Sequence, residues 1–281
     1  MRRPTVRRVE RRRFLLTLAA GLVGAAVGRG TTGLVDTAAA AGPAPASRAE
    51  PVATVLGEVP PAPPTGVVDR LPGEGDGLAL TIDDGTDPEV VAAFCTFAAD
   101  TGVRLTFFPN GRYRSWLDNG ELLQPLVDSG QVAMGNHTWS HPDLTTLPDD
   151  AVAEEIGRNR DFLAEAFGAG RTPFFRPPFG ARDERTDALA AAAGHPTVVL
   201  WNGTLEDNRL LTPGQLMTAA RRWFTAQAIV VGHANQRTVT GLYDELVALI
   251  AERGLRTVTL ADAWPSGLAR VVPVVVRGAV G

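Results

Sequence analysis

Lysine is absent from the sequence, and all 27 basic residues are arginine. A chain without a lysine amine cannot form a Schiff base with a carbonyl substrate. It also cannot supply the lysine of a Walker-type phosphate-binding loop. The composition therefore excludes two large groups of enzymes.

Cysteine is nearly absent as well, because Cys95 is the single one. One cysteine cannot form a disulfide within the chain, so export would not imply a disulfide framework. Cys95 lies in the apolar helical run 90–99. This favours a buried structural thiol over a reactive one, since free cysteine packs as a small hydrophobe.

Positive charge is scarce beyond the N-terminal region. Residues 1–41 hold 8 arginines and 2 acidic residues, which leaves 19 arginines and 29 acidic residues, a formal charge of −10, for the rest of the 281-residue chain. A domain this acidic is poorly suited to the phosphates of nucleic acid, so we expect no nucleic-acid partner. The hydrophobic content of 44% is typical of one globular domain, which we expect to be a monomer.

Long apolar runs are lacking too: residues 14–27 form a run of 14 residues, whereas a membrane span needs about 20. The run follows an arginine-rich start, and residues 11–15 resemble the twin-arginine export pattern R-R-x-F-L. Residues 37–41 offer cleavage positions of the A-x-A type. We therefore predict a signal peptide over 1–41, with membrane contact only through this segment and an extracellular, cell-wall or periplasmic location. An uncleaved N-terminal anchor is the alternative.

The remaining chain divides into a linker, a domain and a tail. Residues 42–73 contain eight prolines, which favour an extended linker. Residues 74–265 alternate short apolar runs with helical patterns, and 266–281 form a C-terminal tail. The predicted strands are 78–83, 104–109, 131–136, 174–178, 197–201, 228–233 and 256–260. Alternating strands and helices imply parallel strands, so we predict an α/β fold, a distorted (β/α)7-type barrel one unit short of the usual eight.

Two adjacent carboxylates end the first of these strands. The apolar run 78–82 stops at Asp83 and Asp84, followed by Gly85. If the strand breaks into a glycine-containing turn, both carboxylates can face one pocket, where one could bind a metal and the other act as a base. An ordinary Asp-rich turn is the structural alternative.

Two of the four histidines follow another predicted strand. His137 and His141 are four residues apart, so one helical turn would place both on one face, a common spacing for two ligands of a divalent metal. A surface turn with two incidental histidines is the alternative.

Further polar residues lie at later strand ends. Arg176 precedes two prolines, whose fixed φ angles would hold it rigidly enough to orient a carboxylate bidentately. Its alternative is an ordinary salt bridge in a turn. Asp207 could pair with His233, fix its tautomer and raise its pKa. His195 lies at the opposite end of its strand, and we predict it to be a turn residue outside the site.

The position of these residues is informative. All seven lie at or just beyond predicted strand C-termini, which converge on one face of a barrel. They are Asp83, Asp84, His137, His141, Arg176, Asp207 and His233.

With these motifs the sequence resembles the polysaccharide deacetylases, the NodB-homology domain of carbohydrate esterase family four, over about residues 77–262. Residues 81–85 are similar to the T-F-D-D-G motif, 137–141 match H-[ST]-x-x-H, 176–179 are similar to R-x-P-Y and 231–233 to L-x-H. The resemblance implies a distorted (β/α) barrel, a divalent metal, usually zinc, and removal of acetyl groups from sugars. By position, the metal ligands would be Asp84, His137 and His141. Because the same ligand set can serve non-haem iron, zinc is an expectation from the resemblance.

The resemblance also implies the catalytic roles. Asp83 would be the general base and Arg176 its orienting partner. His233 would be the general acid, tuned by Asp207. The backbone N–H of Phe179 would help to hold the oxyanion.

The family's fourth motif, D-x-x-D-W, is altered here. Its second aspartate is kept as Asp207, but Thr204 and Asn208 replace the first aspartate and the tryptophan. That tryptophan normally helps to wall the pocket for the acetyl methyl group, so the change concerns the substrate most directly. Three functions stay open: an N-deacetylase of peptidoglycan or chitin-like glycans, an O-acetyl esterase acting on xylan-type polysaccharide, and a catalytically silent glycan-binding protein.

Overall fold

The computed structural model describes residues 62–264. The predicted signal segment, the tail 266–281 and the first part of the predicted linker lie outside this range. Within it, no helix has the length and apolar character that crossing a membrane requires.

Within residues 62–264, nine strands form two sheets, and all pairs of these strands are parallel. The strands are β1 (Gly66–Val68), β2 (Gly77–Asp84), β3 (Leu105–Pro109), β4 (Val132–Met134), β5 (Phe174–Phe175), β6 (Thr197–Val199), β7 (Gly203–Thr204), β8 (Ala228–His233) and β9 (Arg256–Thr257). One sheet has the order β4-β3-β2-β8-β7, with β9 also paired to β2, and the other has the order β1-β6-β5.

In the described part of the chain, eight α-helices connect or follow the strands. They are α1 (Pro88–Thr101), α2 (Ser115–Asp118), α3 (Gly120–Asp128), α4 (Asp149–Phe167), α5 (Glu184–Ala192), α6 (Pro213–Trp223), α7 (Tyr243–Glu252) and α8 (Leu260–Ala263). Local chemistry sets their ends: α6 begins at Thr212 with a reciprocal cap to Gln215 and with Pro213 in its first turn. Helix α1 ends at Gly102, whose φ of 74° favours glycine.

The two sheets join into a distorted barrel, as the sequence predicts. Between β4 and β5, the backbone N–H of Asn136 donates to Phe174 and that of Arg176 donates to Asn136. On the other side the chain passes from β6 into β7, where the Asn202 N–H donates to Ile229 in β8. β6 and β7 therefore act together as one bent strand of the barrel.

The seventh predicted strand, 256–260, differs from its prediction. Only β9 forms, and it pairs with the first two residues of β2, Gly77 and Leu78. The side chain of Thr259 accepts a hydrogen bond from the Asp262 N–H and starts α8, so the chain turns into a helix before it can extend along β2.

The predicted boundary between linker and domain is too late. Gly66–Val68 forms β1 and pairs with Thr197–Val199, and Leu71 is buried in the apolar core. Residues 66–68 contain two valines and no proline, so their N–H groups remain available for pairing. Cys95 is buried, as predicted, and burial raises the pKa of its thiol to about 12.

Candidate metal centre and active site

The carboxyl ends of the strands surround a cavity of about 700 Å³. Five of the predicted site residues with titratable side chains line it: Asp83, Asp84, His137, His141 and His233. Arg176 and Asp207 are fully buried behind the residues that line the cavity. Arg176 contacts Asp83, and Asp207 contacts His233. The seven residues predicted to converge therefore do so.

A turn with left-handed backbone allows both aspartates to reach the cavity. Asp84 has φ of 70° and Gly85 φ of 93°, so the alternation of β2 stops there. A Cβ atom on Gly85 would lie 2.3 Å from the indole nitrogen of Trp116. That nitrogen donates instead to the carbonyl oxygen of Asp84 at 2.8 Å, which fixes the turn.

Three side chains form a candidate metal site. Oδ1 of Asp84 lies 3.4 Å from Nε2 of His137 and 3.4 Å from Nε2 of His141, and the three ligand atoms lie within 4.8 Å of one another. This oxygen is buried without a hydrogen-bond donor among the described residues, whereas the other carboxylate oxygen accepts from Nδ2 of Asn235 at 2.6 Å. A buried carboxylate oxygen without a donor is costly, and a cation would satisfy it.

The protonation of the three residues suits a divalent cation. Nδ1 of His137 lies 2.7 Å from the carbonyl oxygen of Arg176; since a carbonyl only accepts, Nδ1 carries the proton and Nε2 keeps its lone pair. Burial and the neighbouring His137 lower the pKa of His141, which favours neutral imidazole. Burial raises the pKa of Asp84, but the contact with His137 and the charges of the nearby histidines outweigh it and hold that pKa below its usual range. One carboxylate and two imidazoles fit a site of the zinc type.

The two candidate histidine ligands converge without a helix. Residues 136–141 form a loop in which Thr138 and His141 have φ of 67° and 64°. The prediction of a helical turn is therefore wrong, although both rings face the same cavity. The loop is held by the Thr138 N–H, which donates to Oδ1 of Asn136, and by the His141 N–H, which donates to Oγ1 of Thr138.

Asp83 has a different partner from Asp84. Its Oδ1 accepts from Nη1 of Arg176 at 2.7 Å, while its Oδ2 lies on the cavity side, 3.8 Å from Nε2 of His137. The expected bidentate pair does not form, because the other guanidinium nitrogens donate to the carbonyl oxygens of Val199 and Leu200. Arg176 thus holds one oxygen of Asp83 and leaves the other open.

His233 and Asp207 form a close pair. Nδ1 of His233 lies 2.8 Å from Oδ1 of Asp207, and the His233 backbone N–H donates to Oδ2. Burial lowers the pKa of His233, but the hydrogen bond and charge of Asp207, with the charges of Asp83 and Asp84, outweigh it and raise the pKa to about 9. The ring is therefore a cation at neutral pH.

Phe179 lies at the cavity rim with 69% of its surface exposed. Its φ is 61°, after the two prolines of the predicted turn. Its ring centre lies 4.5 Å from that of His141, edge to face. The side chain is thus placed to contact a ligand that enters the cavity.

Sequence reasoning did not identify Trp201 and Asn235 as residues of the cavity wall. Trp201 lines the cavity, and its ring lies 5.6 Å from the guanidinium carbon of Arg176. It provides an indole surface although the fourth motif lacks its tryptophan. Asn235, two positions after His233, holds Asp84; its position beyond a strand that ends in histidine was the available signal.

His195 is more closely connected than a turn residue would be. It is buried at the start of β6, with Nδ1 2.7 Å from the Thr172 carbonyl oxygen and Nε2 2.9 Å from Nδ2 of Asn136. Nδ1 must therefore carry the proton, and Nε2 accepts from Asn136. Asn136 immediately precedes His137. Through its hydrogen bond with Asn136, His195 therefore supports the loop 136–141 from outside the cavity.

Comparison with known proteins identifies the domain. Residues 71–198 match the polysaccharide deacetylase family. The chain is 36% identical over 124 residues to chitin deacetylase 1 of Cryptococcus neoformans, covering 43% of this chain and 25% of that protein. It is 28% identical over 200 residues to a peptidoglycan-N-acetylglucosamine deacetylase of Bacillus cereus, covering 69% and 70%. It spans less than half the length of several relatives, including 38% of a Listeria monocytogenes peptidoglycan deacetylase.

A solved structure agrees with this assignment. The family 4 carbohydrate esterase from Streptomyces lividans, in complex with acetate, superposes with a TM-score of 0.57 at 25% identity and covers 66% of this chain and 93% of its own. The described domain therefore resembles the polysaccharide deacetylases, in sequence over residues 71–198 and in fold.

Proposed function

We propose that this chain is a metal-dependent deacetylase that hydrolyses the N-acetyl groups of amino-sugar glycans, peptidoglycan or chitin-like, to acetate and a free amine. The observation that carries the proposal is that two neighbouring carboxylates have different partners. Asp83 is bound by Arg176, whereas Asp84 faces two imidazoles. Such different surroundings suit two different tasks.

Asp84, His137 and His141 would hold the divalent metal, which we expect to be zinc. When bound, the metal would polarise the acetyl carbonyl and acidify a water molecule. Asn235 and the Arg176 carbonyl oxygen would keep Asp84 and His137 in position.

Asp83 would act as the general base. Its open Oδ2 is available to take the proton of the attacking water while Arg176 holds Oδ1. The water oxygen then bonds to the acetyl carbon, and the backbone N–H of Phe179 would donate to the oxygen that gains negative charge.

His233 would act as the general acid. An amine leaves poorly without a proton, and the Asp207 pair keeps His233 protonated for this step. As the carbon–nitrogen bond breaks, the proton of His233 passes to the sugar nitrogen. Acetate and a free amino sugar result.

Two other functions differ from the proposed one in the glycan that is hydrolysed or bound. The altered fourth motif, with Thr204 and Asn208 on the cavity wall, is the observation that favours an O-acetyl ester such as acetylated xylan or a silent glycan-binding protein. The amide is favoured because His233 is held as a cation, which an amine leaving group needs more than an alcohol does. The N-terminal pattern supports export and so a wall or extracellular polymer.

The test is acetate release from N-acetylglucosamine oligomers by the purified, zinc-loaded protein, beside acetylated xylan. We expect release from the amide that a chelator abolishes and zinc restores. Asp83→Asn should lose nearly all turnover but keep one equivalent of zinc, and Asp100→Asn, an exposed aspartate of α1, should behave as wild type. Full activity of Asp83→Asn would contradict the base assignment, and release from xylan alone would replace the proposal by the esterase.

A further inference from the structure

The cavity continues beyond the catalytic residues. Glu206 and Arg209 line it, and the same two residues line a neighbouring groove of about 530 Å³. The groove follows α6 from Thr212, just before the helix, past Gln215 to Arg222 near the end of the helix. A glycan with one sugar in the cavity would therefore place a neighbouring sugar in the groove.

Two arginines of this groove, Arg209 and Arg222, lack a strong ionic partner among residues 62–264. The ionic contact of Arg209 is with Glu206 at 4.0 Å, the limit of an ion pair, and the Arg209 side chain is 67% exposed. Arg222 packs against the ring of Trp223, and no carboxylate among residues 62–264 lies within ion-pair distance of it. Arg237, which is also exposed, is by contrast paired with Asp87 at 2.8 Å.

The altered fourth motif shapes the junction between cavity and groove. Oγ1 of Thr204 accepts a hydrogen bond from the Glu206 N–H at 2.9 Å, which supports the turn where Glu206 has φ of 58°. Asn208 lines the same wall. Thr204 and Asn208 are neutral and line the cavity together with Arg209, whereas an aspartate at position 204 would add a second negative charge to that of Glu206.

We propose that this groove binds a sugar that carries a carboxylate, next in the glycan to the sugar that is deacetylated. Arg209 and Arg222 would bind the carboxylate through charge-assisted hydrogen bonds. The inference rests on the proposed deacetylase function and deepens it, since it selects an acidic glycan over a neutral chitin-like one. The carboxylate can be the lactyl ether of a muramic acid or that of a uronic acid.

The experiment compares glycans of equal length: alternating N-acetylglucosamine and N-acetylmuramic acid, the same glycan with its carboxylates converted to primary amides, and alternating N-acetylglucosamine and glucuronic acid. We expect kcat/KM on the muramic acid glycan to exceed that on its amide about tenfold, as a charge-assisted hydrogen bond allows. The ratio should fall with added salt. A comparable excess for the uronate glycan would identify any neighbouring carboxylate as sufficient, and its absence would identify the lactyl group.

Substitutions of Arg209 and Arg222 test whether these residues bind the carboxylate. Arg209→Gln and Arg222→Gln should each bring the acid-to-amide ratio toward one. Arg221→Gln is the matched control, because Arg221 neighbours Arg222 on α6 but points to Glu252 at 3.8 Å; its ratio should stay at the wild-type value. Equal rates on acid and amide glycans in the wild type would overturn the groove proposal and leave the deacetylase intact. If no glycan is deacetylated, calorimetric binding of the acid and amide forms separates a failed function from a failed groove.

Discussion

The backbone carbonyl of Arg176 lies 2.7 Å from Nδ1 of His137, while the Arg176 guanidinium holds Asp83 at 2.7 Å. One residue therefore sets the tautomer of a candidate metal ligand through its main chain and the orientation of the candidate base through its side chain. The two halves of the site are coupled through Arg176.

Arg176→Gln should destabilise the fold strongly, because it leaves Asp83 buried without its charged partner. We expect a loss of about 3–5 kcal/mol in the free energy of unfolding, measured by urea denaturation. Arg256→Gln, which removes an exposed pair with Asp76, should cost below about 1 kcal/mol. Equal effects of the two variants would show that the Arg176–Asp83 contact is not a buried ion pair in solution.

Metal binding should stabilise the folded protein through Asp84. Zinc at 100 times its Kd adds about 2.7 kcal/mol to the free energy of unfolding by mass action, so the melting temperature should fall when a chelator is added. Asp84→Asn should abolish this difference, and Asp100→Asn should retain it. A chelator response that survives in Asp84→Asn would place the metal elsewhere.

The pKa of His233 predicts a pH dependence. Its folded-state pKa is raised from 6.5 to about 9, so the stability from the protonated ring is fully present below pH 6.5 and is lost as the pH rises through about 9. In the metal-free protein, NMR titration should place the His233 ring near 9. Asp207→Asn should lower that pKa and move the alkaline limb of kcat to lower pH; an unmoved limb would assign it to another group.

His195 should influence metal affinity without entering the cavity. His195→Leu removes one of the two acceptors of Asn136 Nδ2, which keeps only the Ile156 carbonyl oxygen. The lost hydrogen bond costs about 1–3 kcal/mol and loosens the loop that carries both candidate histidine ligands. We expect weaker zinc binding by competition titration, with smaller losses in His195→Gln, whose amide oxygen can accept. A variant that is less stable but binds zinc as tightly as wild type would limit His195 to a structural role.

Much of the fold followed from local sequence patterns. Helix α4 spans Asp149–Phe167, as its apolar spacing predicts. Helix α5 was not predicted, although its capping box between Asp183 and Thr186 is a readable signal. The strand β1 was hidden because prolines dominate the segment before it.

The convergence of the seven residues could be predicted because each lies at or beyond the C-terminal end of a strand, but their contacts could not. His195 and Asn136 are 59 residues apart, and no local pattern reports such a contact. Non-glycine residues with positive φ, such as Thr138 and His141, likewise carry no sequence signature that replaces the expected helical turn. The carbonyl partners of Arg176 depend on how β6 bends toward β7.

The contact between Gly85 and Trp116 has an evolutionary consequence. Any side chain at position 85 collides with the indole, and loss of the indole removes the hydrogen bond that fixes the Asp84 carbonyl oxygen. A substitution at position 85 or position 116 alone is therefore unfavourable. Among descendants of this chain, the glycine and the tryptophan should be inherited or lost together.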